Sequence, residues 1–334
     1  MSVRHRLGLF ALALALAAPA AAQVPITPAR PDPNDPDGVI LEELVVVARD
    51  RGPAWWTVSD GDSTVYVLGV PSIAPKHMQW DRAAFERRLQ GANAVILPFQ
   101  EVKVRVASSF GAAFNYMRLR SSTPFEETLD PDAKARFVEA RSRLGEPAKR
   151  YSTKNPLAAG LLLLNDYRDR SDLTNSDPLK LIKGLSEQAK VPIWQKSYDI
   201  APQLGAVLRT PHDVGRVCLD EVMAQVHAGP GVTLSAAKAW ADGDVPAALE
   251  NERTYERCIG HVPGASAFDA KTKADEVAMI EQALKKPGHS IAVVRLRPLL
   301  SLGGVLDRLR SSGLTVTTPG DAEARSAATP NDGK

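Results

Sequence analysis

"TVYVLGVPSIAPKHMQW", Thr64 to Trp80, decides how the chain is read. Thr64–Leu68 is a short β-branched, apolar run that stops at Gly69. Val70-Pro71-Ser72 turn the chain, and a polar, helix-like segment follows. In α/β proteins the end of such a strand faces the ligand crevice. An enzyme is expected to place His, Asp, Glu or Cys there, and this chain places Pro71 and Ser72.

Outward from that unit, Asp60-Gly61-Asp62 is a hairpin turn signal joining it to a preceding strand, Trp55–Val58. On the other side, 81–90 carries apolar Ala84, Phe85 and Leu89 among charges, as a surface helix requires. Gly91 ends it and Ala94–Leu97 follows, so strand, turn, helix and strand predict a parallel pair with a helical crossover. Further strands are expected at Pro192–Trp194, Ser290–Arg295 and Leu314–Thr317. Helices are expected at Pro131–Leu144, Pro156–Tyr167, Leu179–Lys190, Val214–His227, Leu234–Ala239, Lys273–Lys285 and Gly303–Ser312. Asp130-Pro131 and Asn155-Pro156 are N-cap and first-turn pairs, and Gly313 is a C-cap. The expected fold is α/β: a central mixed, largely parallel sheet built from both ends of the domain, flanked by helices, with a helical insertion at about 131–285.

The flanks read differently. Residues 1–22 have a basic start, an apolar run over Leu7–Ala18 and the small residues Ala20-Ala21-Ala22, the pattern of a secretory signal cleaved near Ala22. The mature chain is therefore expected in the periplasm or secreted, with no integral membrane segment. Residues 23–52 form a Pro/Asp-rich leader, "QVPITPARPDPNDPDG" at its start, expected to be disordered. Within it, "ILEELVVVARDR", Ile40–Arg51, resembles the acidic-then-valine segment of TonB-dependent receptors; the plainer alternative is an edge strand at 44–47. The main domain is expected over 53–320, and 321–334 reads as a disordered tail. Of 41 basic and 39 acidic residues, Arg4 and Arg6 belong to the signal. A mature chain so balanced has no general attraction for nucleic acid or anionic membrane. Cys218 and Cys258 suit an oxidising compartment and are expected to pair, the alternative being two separate buried thiols.

Several stretches, taken in order, resemble the TraB/GumN family, which includes TIKI-type extracellular metalloproteases and is related in fold to ChaN-like proteins. The carriers are Trp56, Gly69, Pro75, Trp80, Phe85, Leu89, Ala92 and Asn93; then "AWADGD", Ala239–Asp244; then "IEQALKKPGHSIAVVRLRPLLSLGGVLDRLRSSGLTV", Ile280–Val316. The resemblance implies a His at each of two strand ends and a Glu at a third. Here they fall on Ser72, Pro298 and Pro98 respectively. A Leu-Glu-Thr after the middle strand falls near Lys196-Ser197-Tyr198. Proline has no side-chain ligand atom, a lone serine hydroxyl is a poor one, and two nearby arginines repel a divalent cation.

Nothing else restores the chemistry. His77, His212, His227, His261 and His289 show no His-x-x-x-His spacing. His77 reads as a loop residue, and His289 enters its strand at the end away from the cleft. Ser72 lacks a Gly-x-Ser-x-Gly elbow. Glu101 replaces the lost Glu only with a register shift, and Asp81 and Glu86 belong to a solvated helix face. Arg295 and Arg297, on the same face by strand alternation, are candidates for binding a carboxylate, phosphate or sulfate together with Gly69 and Ser72, the alternative being ordinary salt bridges.

The leading expectation is a catalytically inactive, metal-free binding or scaffold protein of the cell envelope, with no catalytic residues and no cofactor. Its partner is expected to be an acidic peptide end, a glycan or an envelope protein. The alternatives are an active hydrolase or peptidase using substituted residues, and a periplasmic accessory protein of an exopolysaccharide or TonB-linked system.

Overall fold

The computed structural model describes residues 32–48, 51–99, 102–103, 117–199 and 201–321. The expected signal, the first part of the leader, Glu101 and the tail beyond Asp321 lie outside these residues. Six strands form the main sheet: β1 (Trp55–Ser59), β2 (Ser63–Val70), β3 (Val95–Leu97), β4 (Ile193–Gln195), β5 (Gly288–Arg295) and β6 (Thr315–Thr317). Their order is β6-β1-β2-β5-β3-β4. β1 pairs antiparallel with both β2 and β6, and the other three pairings are parallel. The sheet is mixed and mostly parallel, as expected. The parallel pair joined by the crossover helix is not adjacent, however. β5 lies between β2 and β3, in register with β2 from Ser63↔Gly288 to Val70↔Arg295. Its buried run Ser290–Val294 suits a strand covered on both faces.

One core surrounds the sheet. Trp56, Val67, Ile96 and Val293 meet Phe85 and Leu89 of the crossover helix Ala83–Leu89, Ile280 and Leu284 of the helix Ala265–Leu284, and Leu306 and Leu309 of the helix Val305–Ser311. A second core, with Phe137, Tyr151, Leu163, Tyr167 and Val222, lies among the helices Pro131–Arg143, Pro156–Arg170 and His212–Ala228. Asp130 and Asn155 accept the backbone N–H of Ala133 and Ala158 at 2.9 and 3.0 Å, as the N-cap reading requires. The insertion is not all separate: β4, the helix Leu179–Gln188 and Trp240 return to the sheet core. Short helices at Val245–Ala248, Thr254–Gly260 and Leu296–Leu300 were not expected, being too brief to display a full apolar period.

The helices Pro156–Arg170 and His212–Ala228 approach closely because glycines face each other's chain. A Cβ on Gly215 would stand 2.8 Å from the Leu157 nitrogen, and one on Gly160 would stand 3.3 Å from Leu219 Cα. Cys218 on this interface is bonded to Cys258 on the short helix Thr254–Gly260, closing 40 residues.

The leader departs most from expectation. Residues 32–48 lie along the domain. Leu44 is fully buried in the sheet core, worth about 1.5–3 kcal/mol, and its carbonyl accepts Trp56 Nε1–H at 3.1 Å. Leu41 N–H donates to Leu300 O and Leu302 N–H to Val39 O. The expected edge strand at 44–47 is instead a 3₁₀ turn, Glu42–Leu44, followed by a single bridge from Val47 to Asp244. Composition alone read this segment as unable to bury enough; one leucine and partners distant in sequence hold it.

Replacing both cysteines with alanine is expected to lower the unfolding free energy by about 4 kcal/mol in the chain-entropy account, read from urea titration of the oxidised parent and the variant. An unchanged midpoint contradicts it. Gly215→Ala is expected to cost about 1–3 kcal/mol by overpacking, measured in the same way.

Candidate functional site

The parallel strands β2, β5, β3 and β4 all finish at one edge of the sheet, where the crevice of an α/β fold lies. Gly69, at the end of β2, is buried. A Cβ there would stand 2.6 Å from Leu296 Cδ1, 3.1 Å from Leu299 Cδ2 and 3.3 Å from the Trp56 ring. Its carbonyl accepts the indole N–H of Trp240. Gly69 therefore lets the short helix after β5 settle on β2, and packs rather than lines a cleft. Ser72 sits in the turn beyond it, half-buried.

Arg295 ends β5 directly opposite Val70, so its guanidinium reaches the same turn. Nη1 donates to Pro71 O at 2.6 Å and Nη2 to Asn175 O at 2.7 Å. Arg297 does not join it. The chain leaves the sheet at Arg295 and turns into the helix Leu296–Leu300, so strand alternation does not apply. Arg297 donates instead to Leu249 O at 2.8 Å and Asp37 O at 3.2 Å. The paired-arginine pocket expected from the sequence does not form.

Pro98, just beyond β3, is buried, and its carbonyl accepts Gln195 Nε2–H at 2.8 Å, tying the ends of β3 and β4 together. Pro298 lies inside the helix Leu296–Leu300. A metal ion, which the resemblance implies, finds no donor set here: these positions offer one hydroxyl and two pyrrolidine rings. Among the described residues no three His, Cys, Asp or Glu side chains come together to hold an ion. His77 is exposed, with its N–H donated to Asp177 Oδ2 at 2.8 Å. His289 is at the far end of β5, its Nε2 2.8 Å from Arg88 O. Asp81 accepts the Ala83 N–H just before the crossover helix, and Glu86 pairs with Arg82 on its solvated face.

Sequence reasoning missed an aromatic cluster beyond β3 and β4 and two carboxyls whose charge acts on Arg295. The helix Ala265–Leu284 crosses the strand ends and brings Phe268 edge-to-face with Phe99 and Tyr198. Tyr198 donates to Asp275 Oδ2 at 2.7 Å, and burial together with that bond pushes its phenol well above its ordinary value. Burial pushes Glu276 up to about 8 against the opposing charges of Arg295 and Lys273. Burial also raises Glu256, whose Oε2 is buried without a partner. Arg295 is drawn down to about 10 by burial, opposed by Glu256 and Glu276, and stays protonated at neutral pH. One guanidinium with two raised carboxyls near it can hold a proton or a hydrogen-bonding guest; it is not an arrangement for a dication. The available signal was faint: Lys273, Val277 and Ile280 share one helical face, which puts a charge where the core lies.

Glu276 makes stability depend on pH with a definite sign. Its folded value is raised above that of the unfolded chain, so between about 4.5 and 8 the folded state holds the extra proton. Stability contributed by this group therefore falls as pH rises through that window. Glu276→Gln is expected to flatten the slope, gaining on the parent progressively from pH 5 to pH 8.5 in urea midpoints. A constant offset between the two proteins contradicts it.

Among the described residues no helix is long and apolar enough to cross a membrane. No curated protein and no solved structure is detectably similar to the chain. The sequence model of the TraB/PrgY/gumN family matches residues 54–318. That span takes in all six strands of the sheet and the whole of the second core, and it bears out the resemblance carried by Trp56, Gly69, Trp80 and the stretches Ala239–Asp244 and Ile280–Val316: the chain belongs to the TraB/PrgY/gumN family.

Proposed function

We propose that this chain is an exported, metal-free and catalytically inactive member of its family, acting as a binding or scaffold protein of the cell envelope. The reading rests on one observation. The three strand-end positions where the family resemblance implies His, Glu and His carry Ser72, Pro98 and Pro298, and Arg295 reaches the turn just before the first of them. Pro98 and Pro71 contribute only carbonyls, each already accepting from a neighbouring side chain. A fixed guanidinium at such a place repels a dication and favours carboxylates. The Cys218–Cys258 bridge is compatible with an oxidising compartment, and the basic-then-apolar start of the sequence supports export.

The reading is tested by elemental analysis of protein purified without chelator, together with thermal shifts in zinc, manganese and iron salts. The expected outcome is metal far below one ion per chain and no shift. One bound ion per chain overturns it. A combined Ser72→His, Pro98→Glu, Pro298→His and Arg295→Gln variant is expected to gain a zinc-dependent rise in Tm that the parent lacks. A second reading, a hydrolase using substituted residues, draws on Glu276, whose raised carboxyl is the kind of group catalysis uses. Hydrolysis of a peptide or ester panel by the parent, lost in Glu276→Gln, would establish it.

A further inference from the structure

The segment before the family domain is held by charges that the domain supplies. Arg253 takes the Asp35 carboxylate in a two-pronged contact, Nη1 to Oδ2 at 2.9 Å and Nη2 to Oδ1. Lys273, almost wholly buried, pairs with Asp37 at 2.7 Å and Asp269 at 2.8 Å. Asp37 also accepts from Ser301 Oγ at 2.6 Å, and its carbonyl accepts from Arg297. The Asn34 carbonyl lies against Gly260, where a Cβ would collide with it. Three cations from three separate stretches of the domain thus converge on two aspartates of a short acidic, proline-containing strip.

Two features mark this as a recognition groove rather than only a seam. First, no residue from Asp32 to Gly38 is fully buried, so this part of the strip is attached by charge and hydrogen bonds, not by core packing. On its release Lys273 keeps Asp269 and Arg297 keeps the Leu249 carbonyl, while Arg253 gives up the Asp35 carboxylate and is left to take another. Second, Arg253 Nε is buried without a partner, so the Asp35 carboxylate leaves one donor in the groove unused. Backbone also takes part, since Leu41 and Val39 exchange hydrogen bonds with Leu300 and Leu302. An extended peptide supplies those groups, and a sugar chain does not.

We propose that the groove floored by Arg253, Lys273 and Arg297 is a binding site for acidic, extended peptide segments, and that Asp35 and Asp37 occupy it as an intramolecular ligand. The proposal rests on the binding-protein reading above and names its ligand class. A tethered ligand is present at high effective concentration, so a free peptide competes poorly until the tether's charges are removed.

The test uses the full chain. A labelled synthetic peptide spanning Asp32–Val46 is titrated by fluorescence anisotropy into the parent and into D35N/D37N. D35N/D37N is expected to bind roughly tenfold or more tighter than the parent, and Arg253→Gln in that background is expected to remove the gain. Equal affinities, no binding to D35N/D37N, or a gain that survives Arg253→Gln each overturn the proposal. A uronic-acid oligosaccharide that displaces the labelled peptide at lower concentration than unlabelled peptide overturns the peptide assignment. If D35N/D37N shows no cooperative unfolding, hydrogen exchange on the parent decides. Leu41 and Leu302 amides must then exchange before those of Ile291–Val294, and exchange only together with the sheet overturns the proposal. Peptide binding by a protein that carries a stoichiometric metal ion sinks the metal-free reading alone; a metal-free protein that binds no peptide sinks this proposal alone.

Discussion

The ladder between β2 and β5 is the constraint on which the rest of the structure depends. Eight residue pairs, Ser63↔Gly288 through Val70↔Arg295, join stretches at opposite ends of the domain. Bringing them together closes a loop of roughly 220 residues, an entropic cost on the order of 5 kcal/mol. The burial of Val65, Val67 and Leu68 on one strand and Ile291–Val294 on the other offsets it. Once β5 is in place, β3 and β4 stack on its free side, and all four parallel strands finish at one edge. The register also puts Arg295 beside the turn at Pro71. A slip by one residue would turn its side chain to the other face.

Packing at that edge decides what the site can be. Gly69 admits the helix Leu296–Leu300, and Trp240, brought back from the helical insertion, caps the Gly69 carbonyl. Beyond the strand ends the chain's own groups meet: Arg295 bonds to the Pro71 and Asn175 carbonyls and Gln195 to the Pro98 carbonyl. Those contacts are backbone-directed, so they hold the crevice in shape whatever the neighbouring side chains are. Glu256 and Glu276 act by charge on the Arg295 guanidinium, and burial raises both carboxyls.

Much of this was legible in the residues. The six strands stand out as short β-branched runs between turn signals, and each was anticipated to within about two residues at its ends. Asp130 and Asn155 announce their helices because capping is local: the side chain bonds to an N–H three residues on. Trp56, Gly69 and the Trp240–Asp244 region carried the family. Arg297 was misplaced because strand alternation was carried past the residue where the strand ends, and an apolar Leu-rich stretch reads equally well as strand or buried helix. The strip at 32–48 was misjudged because disorder was read from its own composition. Its ligands, Arg253, Lys273 and Arg297, sit more than two hundred residues further along the chain, and no local pattern links them to Asp35 and Asp37.

Sequence by itself determined the six strands of the main sheet, most of the longer helices, the α/β class and the family. All of these are written in local periodicity, capping chemistry and residue identity, which need no partner to be read. Only the tertiary structure decided that β5 lies between β2 and β3, that the two arginines part company, and that Asp35 and Asp37 of the leader lie against Arg253, Lys273 and Arg297. Each of these is a choice among distant partners, settled by which surfaces bury apolar area and pair charge at once, and that balance exists only when the whole chain has folded.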